Sequence, residues 1–288
     1  MHIPSSTVRS VLRLLPVAVP IAGRKRTLIM TGLDAVIGGR QGPEAMKLGG
    51  ATIRLDLRHT NERLLGYCFF NVLRFYRNSA LFRYMQGMQI RRGEYFFDIG
   101  ANLGLYSLLA RSRGLEPVLY EPEQRHFAFL ERNASVLGRA YNIALSDTTG
   151  VATLFLADDS NPGSHSLVRS NDAQPQIVQV RRLDEHVQET GVDAARIRLV
   201  KIDVEGNEYR TVRGLDGILE NPDVTAEIWC EVRGPASRRA PNTVEPVCAH
   251  LETFGYEAYT AGPAGPVRFD AGSQMPAVFD LLFRRSGR

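Results

Sequence analysis

The 288-residue chain can hold one large α/β domain with an extension, or two small domains. With 44% hydrophobic and 23% charged residues it has the make-up of an ordinary globular protein, with no internal repeat or low-complexity tract. The net charge of +4 is almost wholly arginine, since lysine stands only at Lys25, Lys47 and Lys201; the basic residues form no stripe with interleaved aromatics, which argues against nucleic-acid binding.

In chain order, residues 1–50 carry many glycines and prolines with no sustained period and read as an irregular lead-in. Within it, residues 11–23 are apolar but too short to span a bilayer, which takes about 20 residues. Arg13, Pro16 and Pro20 interrupt that run and Arg24-Lys25-Arg26 follow it, so it fits a signal peptide poorly. Peripheral membrane contact is a minor alternative, and the expected compartment is the cytoplasm. Residues 51–57 alternate apolar and polar as a strand does, and residues 61–85 carry Leu64, Leu65, Cys68, Phe69, Val72, Leu73 and Tyr76 at helical spacing. Residues 1–90 thus form an N-terminal α/β extension, a substrate lid or oligomerisation element, and residues 91–288 the main domain.

After the turn at Arg92-Gly93-Glu94, strands and helices alternate, the pattern of a parallel sheet covered on both faces. The spacing predicts strands at 94–98, 117–121, 140–145, 197–203 and 225–231, and helices at about 103–112, 123–137, 206–220 and 243–254. Strands at 151–156 and 177–183 are inserted around a polar segment, 157–172, and two strands near 256–260 and 277–284 close the chain. Cys68, Cys230 and Cys248 are far apart and show no CxxC spacing, so they read as buried thiols, with neither a disulfide framework nor a cysteine zinc site.

In an open parallel sheet, ligands sit outside the carboxyl ends of the strands. Asp98, Glu121, Asp203 and Glu231 all fall at such ends. The first of these opens Asp-Ile-Gly-Ala-Asn-Leu-Gly, in which Gly100 and Gly104 allow a tight turn into a helix. A dinucleotide loop reads GxGxxG and aims a helix end at a pyrophosphate. Here an acid precedes the first glycine; it would repel a pyrophosphate and suits a cofactor presenting an ammonium group. S-adenosylmethionine (SAM), with an α-amino group, a sulfonium and no phosphate, meets that condition, and NAD does not.

Together the residues resemble the FkbM family of SAM-dependent methyltransferases. The resemblance rests on Phe-Asp-Ile-Gly-Ala-Asn-Leu-Gly-Leu-Tyr-Ser (97–107), Tyr-Glu-Pro (120–122), Asn-Ile-Ala-Leu-Ser-Asp (142–147), Arg-Arg-Leu-Asp-Glu-His (181–186) and Lys-Ile-Asp-Val-Glu-Gly-Asn-Glu (201–208). It covers about residues 93–232. It implies a Rossmann-like class I fold with helices on both faces of the sheet, and methyl transfer, usually to a hydroxyl of a sugar, glycolipid or secondary metabolite. It also implies that Asp98, Gly100, Asn102 and Gly104 line the methionine half of SAM, that Glu121 grips the ribose diol, and that Ser146 and Asp147 flank the adenine.

An alcohol must lose its proton as the new bond forms, so a base is required. Asp203 is the first candidate, Glu205 stands close behind it, and His165 in the polar insert is the histidine placed to meet substrate. Glu208, at the start of a helix, suits a structural role. The same acids have a second use: Asp203 and Glu231 as hard oxygen ligands of a divalent metal, although the sequence fixes no third ligand. Competing readings are an N-methyltransferase, a non-catalytic SAM-fold scaffold and an oxidoreductase. The acceptor and the oligomeric state are not legible.

Overall fold

The computed structural model describes residues 43–48, 51–56, 79–156, 165–168, 174–237, 242–262, 265–272 and 274–286. The predicted helical stretch 61–85 lies outside these residues except for its end, and of the polar insert only 165–168 is described.

A hairpin of β1 (Pro43–Leu48) and β2 (Ala51–Asp56) comes first, so the expected lead-in holds a strand. Helix α1 (Ala80–Gly87) follows, its first turn capped by the Ser79 hydroxyl, which accepts from the Phe82 N–H. The alternating core then runs β3 (Tyr95–Ile99), α2 (Leu105–Ser112), β4 (Glu116–Tyr120), α3 (Gln124–Arg132), α4 (Ala134–Leu137) and β5 (Arg139–Tyr141). After β6 (Ala144–Leu145), β7 (Gly150–Leu156) and β8 (Gln174–Arg181) come α5 (Leu183–Thr190), β9 (Ile197–Ile202), α6 (Glu208–Arg213) and α7 (Asp216–Leu219). The chain closes through β10 (Glu227–Arg233), α8 (Val244–Glu252), β11 (Tyr256–Gly262), β12 (Gly265–Arg268) and β13 (Val278–Arg285).

Eight strands form the main sheet in the order β12-β11-β13-β10-β9-β3-β4-β5. Strands β10, β9, β3, β4 and β5 run parallel, and β13 enters antiparallel between β10 and β11. This is the doubly covered α/β sheet that the alternating pattern implies. Residues Phe97, Ile99, Val200, Ile202 and Cys230 face α5 to α8 on one side, and Phe96, Leu199, Trp229 and Leu282 face α1 and α2 on the other. Each such large apolar side chain contributes roughly 1.5–3 kcal/mol by leaving water. A separate three-stranded sheet, β6-β8-β7, stands beside the main one.

Several expected elements are broken, each for a local reason. The helix expected at 123–137 divides at Asn133, whose side chain bonds the Arg54 backbone on both its N–H and its carbonyl, docking the β1–β2 hairpin on α3. The strand expected at 140–145 divides at Asn142, whose amide donates to the Glu121 and Pro122 carbonyls; β5 stays in the main sheet and β6 leaves it. The helix expected at 206–220 breaks near Gly214, which lies so close to Ser146 that a Cβ would come within 2.3 Å of its carbonyl oxygen. Strand β10 runs two residues past the expected end, to Arg233, because β13 pairs with residues 231–233. Among the described residues no helix is long and apolar enough to cross a membrane.

Candidate active site

The register of the sheet builds the site. Ile99, Ile202 and Cys230 are level across β3, β9 and β10, so the next residues along, Gly100, Asp203 and Glu231, share one rim. Glu231 is paired in turn with Asp280 of β13. Alternation along each strand puts this row on the same face as the row two residues below, Asp98, Lys201, Trp229 and Leu282. Glu231 therefore lies inside β10 rather than at its end, yet still at the level where β9 stops.

The lower row neutralises itself. Asp98 is wholly buried and Lys201 is 4% exposed. The Lys201 ammonium stands 3.1 Å from Asp98 Oδ1 and 3.6 Å from Asp203 Oδ2, and donates to the Gly100 carbonyl at 2.9 Å. The Ser107 hydroxyl donates to Asp98 Oδ2 at 2.7 Å. Burial works to lower the Lys201 pKa, but the charges of Asp98 and Asp203 outweigh it and hold the group above the usual lysine range. The charge that the sequence assigns to a cofactor ammonium is thus spent on a lysine, and Asp98 shapes the rim from beneath it.

The upper row is acid-rich. One oxygen from each of Asp203, Glu205 and Glu231 lies within 4.8 Å of the others. Glu205 pairs with the buried Arg233 guanidinium. The Glu231 carboxyl has no hydrogen-bonded or ion-pair partner among the described residues, and burial, then Asp203, Glu205 and Asp280, pushes it well above the ordinary range. Asp280, which accepts from the Trp229 indole, is raised to about 6 by burial first and Asp203 next. Glu208 is wholly buried; its Oε1 accepts from the Gly206 N–H at 2.7 Å, and burial raises it to about 7.

Backbone shape supports the rim. Gly100 has φ +73°, and a Cβ there would lie 1.9 Å from the Asp203 carbonyl oxygen, so only glycine lets the β3–α2 loop cross β9 so closely. Asn102 and Glu205 adopt left-handed φ values of 51° and 56°, strain that concentrates at functional rims. Gly104 points inward instead, where a Cβ would press on Leu119, Leu130 and Leu137.

Glu121, just past β4, is 5% exposed. Its two oxygens accept the N–H groups of Asn102 at 2.8 Å and Glu123 at 2.9 Å. Burial raises its pKa to about 7 and those two bonds pull it back. No lysine or arginine pairs with it among the described residues, so its remaining lone pairs suit hydroxyl donors. Ser146 is buried and donates to Asp147 Oδ1 at 3.3 Å, while Asp147 Oδ2 lies 3.3 Å from Arg213. Beside Ser146 a cavity of about 550 Å³ opens between the small sheet and α6, lined by Thr149, Leu167, Asn207, Tyr209 and Arg210 among others.

Sequence reasoning thus places Asp98, Gly100, Asp203, Glu205 and Glu231 together, with Asn102 and Glu121 joined by a hydrogen bond at the neighbouring strand end. The structure does not bring His165, the histidine expected to meet substrate, to Asp203, Glu205 and Glu231: its ring lies 5.2 Å from that of His126, tilted against it, and burial lowers its pKa. Lys201, Arg233 and Asp280 were given no role. Lys201 carried a signal, a single lysine between Val200 and Ile202 in an apolar strand, which must be buried and must find an acid. Arg233 and Asp280 carried none, because their place depends on β13 pairing with β10.

A model of the Methyltransferase FkbM domain matches residues 98–258, more than half of the chain. The chain is 30% identical over 164 residues to 31-O-demethyl-FK506 methyltransferase FkbM of Streptomyces tacrolimicus, a match covering 45% of this chain and 62% of that protein. Among solved structures it is similar to TYW2 of P. horikoshii in complex with MeSAdo (12% identity, 96% of this chain, 97% of that chain, TM-score 0.43). Magnesium protoporphyrin IX methyltransferase (ChlM) of Synechocystis PCC 6803 with bound SAM is another (10% identity, 75% and 82%, TM-score 0.41). With the family model seated on the strands and acids that form this rim, the chain belongs to the FkbM family of SAM-dependent methyltransferases.

Proposed function

We propose that the chain methylates a hydroxyl oxygen of a sugar, glycolipid or secondary metabolite. The observation that carries this reading is the rim that holds Asp203 and Glu231 level with Gly100, with Glu205 beside them, next to a buried Glu121 that pairs with no lysine or arginine among the described residues. SAM, when bound, supplies a methyl group activated on a sulfonium. Glu121 fits its ribose diol, as a buried carboxyl already oriented by two backbone N–H groups. Gly100 and Asn102 would line the methionine half, with Asp98 and Gly104 fixing that loop from inside; Ser146 and Asp147 would flank the adenine.

The proton of the acceptor hydroxyl would pass to the Asp203–Glu231 pair. Burial, then the neighbouring carboxylates, hold the Glu231 carboxyl above its ordinary range, which suits it to take up a proton. Glu205, tied to Arg233, would hold the field of the pair without leaving its place. Residues 91–288 would form the methyltransferase domain. Residues 1–90 would be the extension that lids the substrate or joins copies, anchored through α1, whose Leu81, Phe82 and Met85 pack on the sheet.

Calorimetry with S-adenosylhomocysteine tests the cofactor assignment. The wild type should bind, and Glu121→Gln should bind about 10–100-fold more weakly, the loss of one or two hydrogen bonds to a charged group. No binding to the wild type at millimolar ligand would overturn it. Asp203→Asn should keep cofactor affinity and lose transfer of a labelled methyl to hydroxylated acceptors. A second reading has one observation in its favour: Glu205 supplies the third oxygen for a divalent metal on Asp203 and Glu231. Under that reading, a chelator would abolish transfer and magnesium would restore it.

A further inference from the structure

Where the first turn of α3 meets segment 165–168, three donors converge that methyl transfer does not use. Glu123 and His126 stand three residues apart at the start of α3, in the sequence Glu-Gln-Arg-His. That Glu-x-x-His spacing sets a carboxylate and an imidazole side by side on a helix, as in carboxylate-bridged metal proteins. Glu123 is 3% exposed and His126 6%.

The third donor, His165, comes from elsewhere in the chain. Its segment is pinned at the next residue, where Ser166 exchanges backbone hydrogen bonds with Phe155 at 2.8 and 3.1 Å and its hydroxyl donates to the Glu205 carbonyl at 2.6 Å. This pinning delivers the His165 ring to His126. One ligand atom from each of Glu123, His126 and His165 lies within 4.8 Å of the others. A tetrahedral zinc with bonds of about 2.0–2.1 Å needs donors about 3.3 Å apart, a closure within reach of side-chain rotation.

Charge points the same way. Glu121 and Glu123 are both buried, and the one charged partner either has within 4 Å among the described residues is His126, at 3.9 and 3.7 Å. Two buried carboxylates facing a single imidazole leave a shortage of positive charge, which is costly in a low-dielectric interior. A divalent cation would supply it.

We propose that Glu123, His126 and His165 bind one divalent transition metal ion. The donor set, two imidazoles and one carboxylate, is borderline in softness and suits zinc better than magnesium or calcium. A water completes the fourth position. The ion serves as a clasp: it ties segment 165–168, and through Ser166 the Glu205 loop, to the helix that follows the proposed ribose carboxylate. It takes no part in methyl transfer, and it is distinct from the oxygen-only group of Asp203, Glu205 and Glu231.

The test uses the full chain, stripped with a chelator and dialysed, then titrated with zinc chloride alone. One zinc per chain is expected by calorimetry, with a rise in melting temperature. Cobalt(II) in its place should give the visible absorption of a tetrahedral or five-coordinate ion bearing nitrogen ligands. His165→Ala removes the ligand nearest solvent and should weaken zinc binding at least about tenfold with an unchanged circular dichroism spectrum. Asp203→Asn, in the other group, should leave zinc stoichiometry and affinity as they are. Absence of zinc uptake by the wild type would overturn the proposal. So would uptake that His165→Ala leaves intact, or that Asp203→Asn removes.

Discussion

Replacing Lys201 with methionine isolates the charge pair beneath the rim. The substitution keeps the length of the side chain and removes the ammonium from two carboxylates and a carbonyl, 3.1 Å from Asp98, 3.6 Å from Asp203 and 2.9 Å from the Gly100 oxygen. At an effective dielectric of about 20, unit charges at the Asp98 distance attract by about 5 kcal/mol. Since Asp98 is wholly buried, removing its cation leaves an uncompensated charge, which typically costs about 3–5 kcal/mol. For a domain of this size that is a fall in melting temperature of roughly 6–20 °C. Adding Asp98→Asn should recover much of the loss, because the amide carries no charge and can still accept from Ser107. Scanning fluorimetry and urea unfolding of the four members of the cycle measure both effects. A Lys201→Met variant that melts within 3 °C of the wild type, or a double variant whose losses simply add, would refute the pairing as the source of stability.

Other consequences are open to similar measurement. Gly100→Ala puts a methyl group against the Asp203 carbonyl at a left-handed φ and should leave little folded protein. Gly114→Ala, also at positive φ but with open space around it, should cost only about 1–2 kcal/mol of backbone strain in chemical denaturation. For Glu208, raised from 4.5 to about 7 by burial, the native state keeps a proton that the unfolded chain has lost between those values. Its contribution to wild-type stability therefore falls as pH rises through that window. Glu208→Gln cannot ionise, so its advantage over the wild type should grow from nothing below pH 4.5 to about 1–3 kcal/mol above pH 7. Parallel stability curves for the two proteins would contradict this.

What the sequence made legible followed from local periodicity. The βα alternation, the ends of β3, β4 and β9 and the glycine turn at 100 are written in runs of a few residues, and they arrive in the structure close to where periodicity puts them, whereas Glu231, expected at a strand end, lies inside β10. What it hid was set by contacts between distant segments. Asn133 breaks a helix because it must bond Arg54, and Asn142 breaks a strand because it must bond Glu121 and Pro122. Neither partner is visible from the neighbourhood of the asparagine. The sign argument at Asp98 reached a SAM fold through a charge that the folded protein spends on Lys201. The histidine at 165 was read as a loop residue near substrate, and the pinning of Ser166 to Phe155 and Glu205 instead delivers it to α3.

The position of β13 has a consequence for biogenesis. The strand is made after segment 234–277, yet it slots between β10 and β11, which were completed earlier. Until it arrives, each of those strands offers an unfilled backbone ladder, the kind of open flank that invites wrong pairing between chains. The same delay applies to chemistry, since Asp280 rides on the late strand beside Glu231. A ribosome-bound intermediate would thus carry the acid-rich rim with its fourth carboxylate missing. The acid cluster would be complete only with β13 inserted, so that filling the sheet and assembling the rim are a single event.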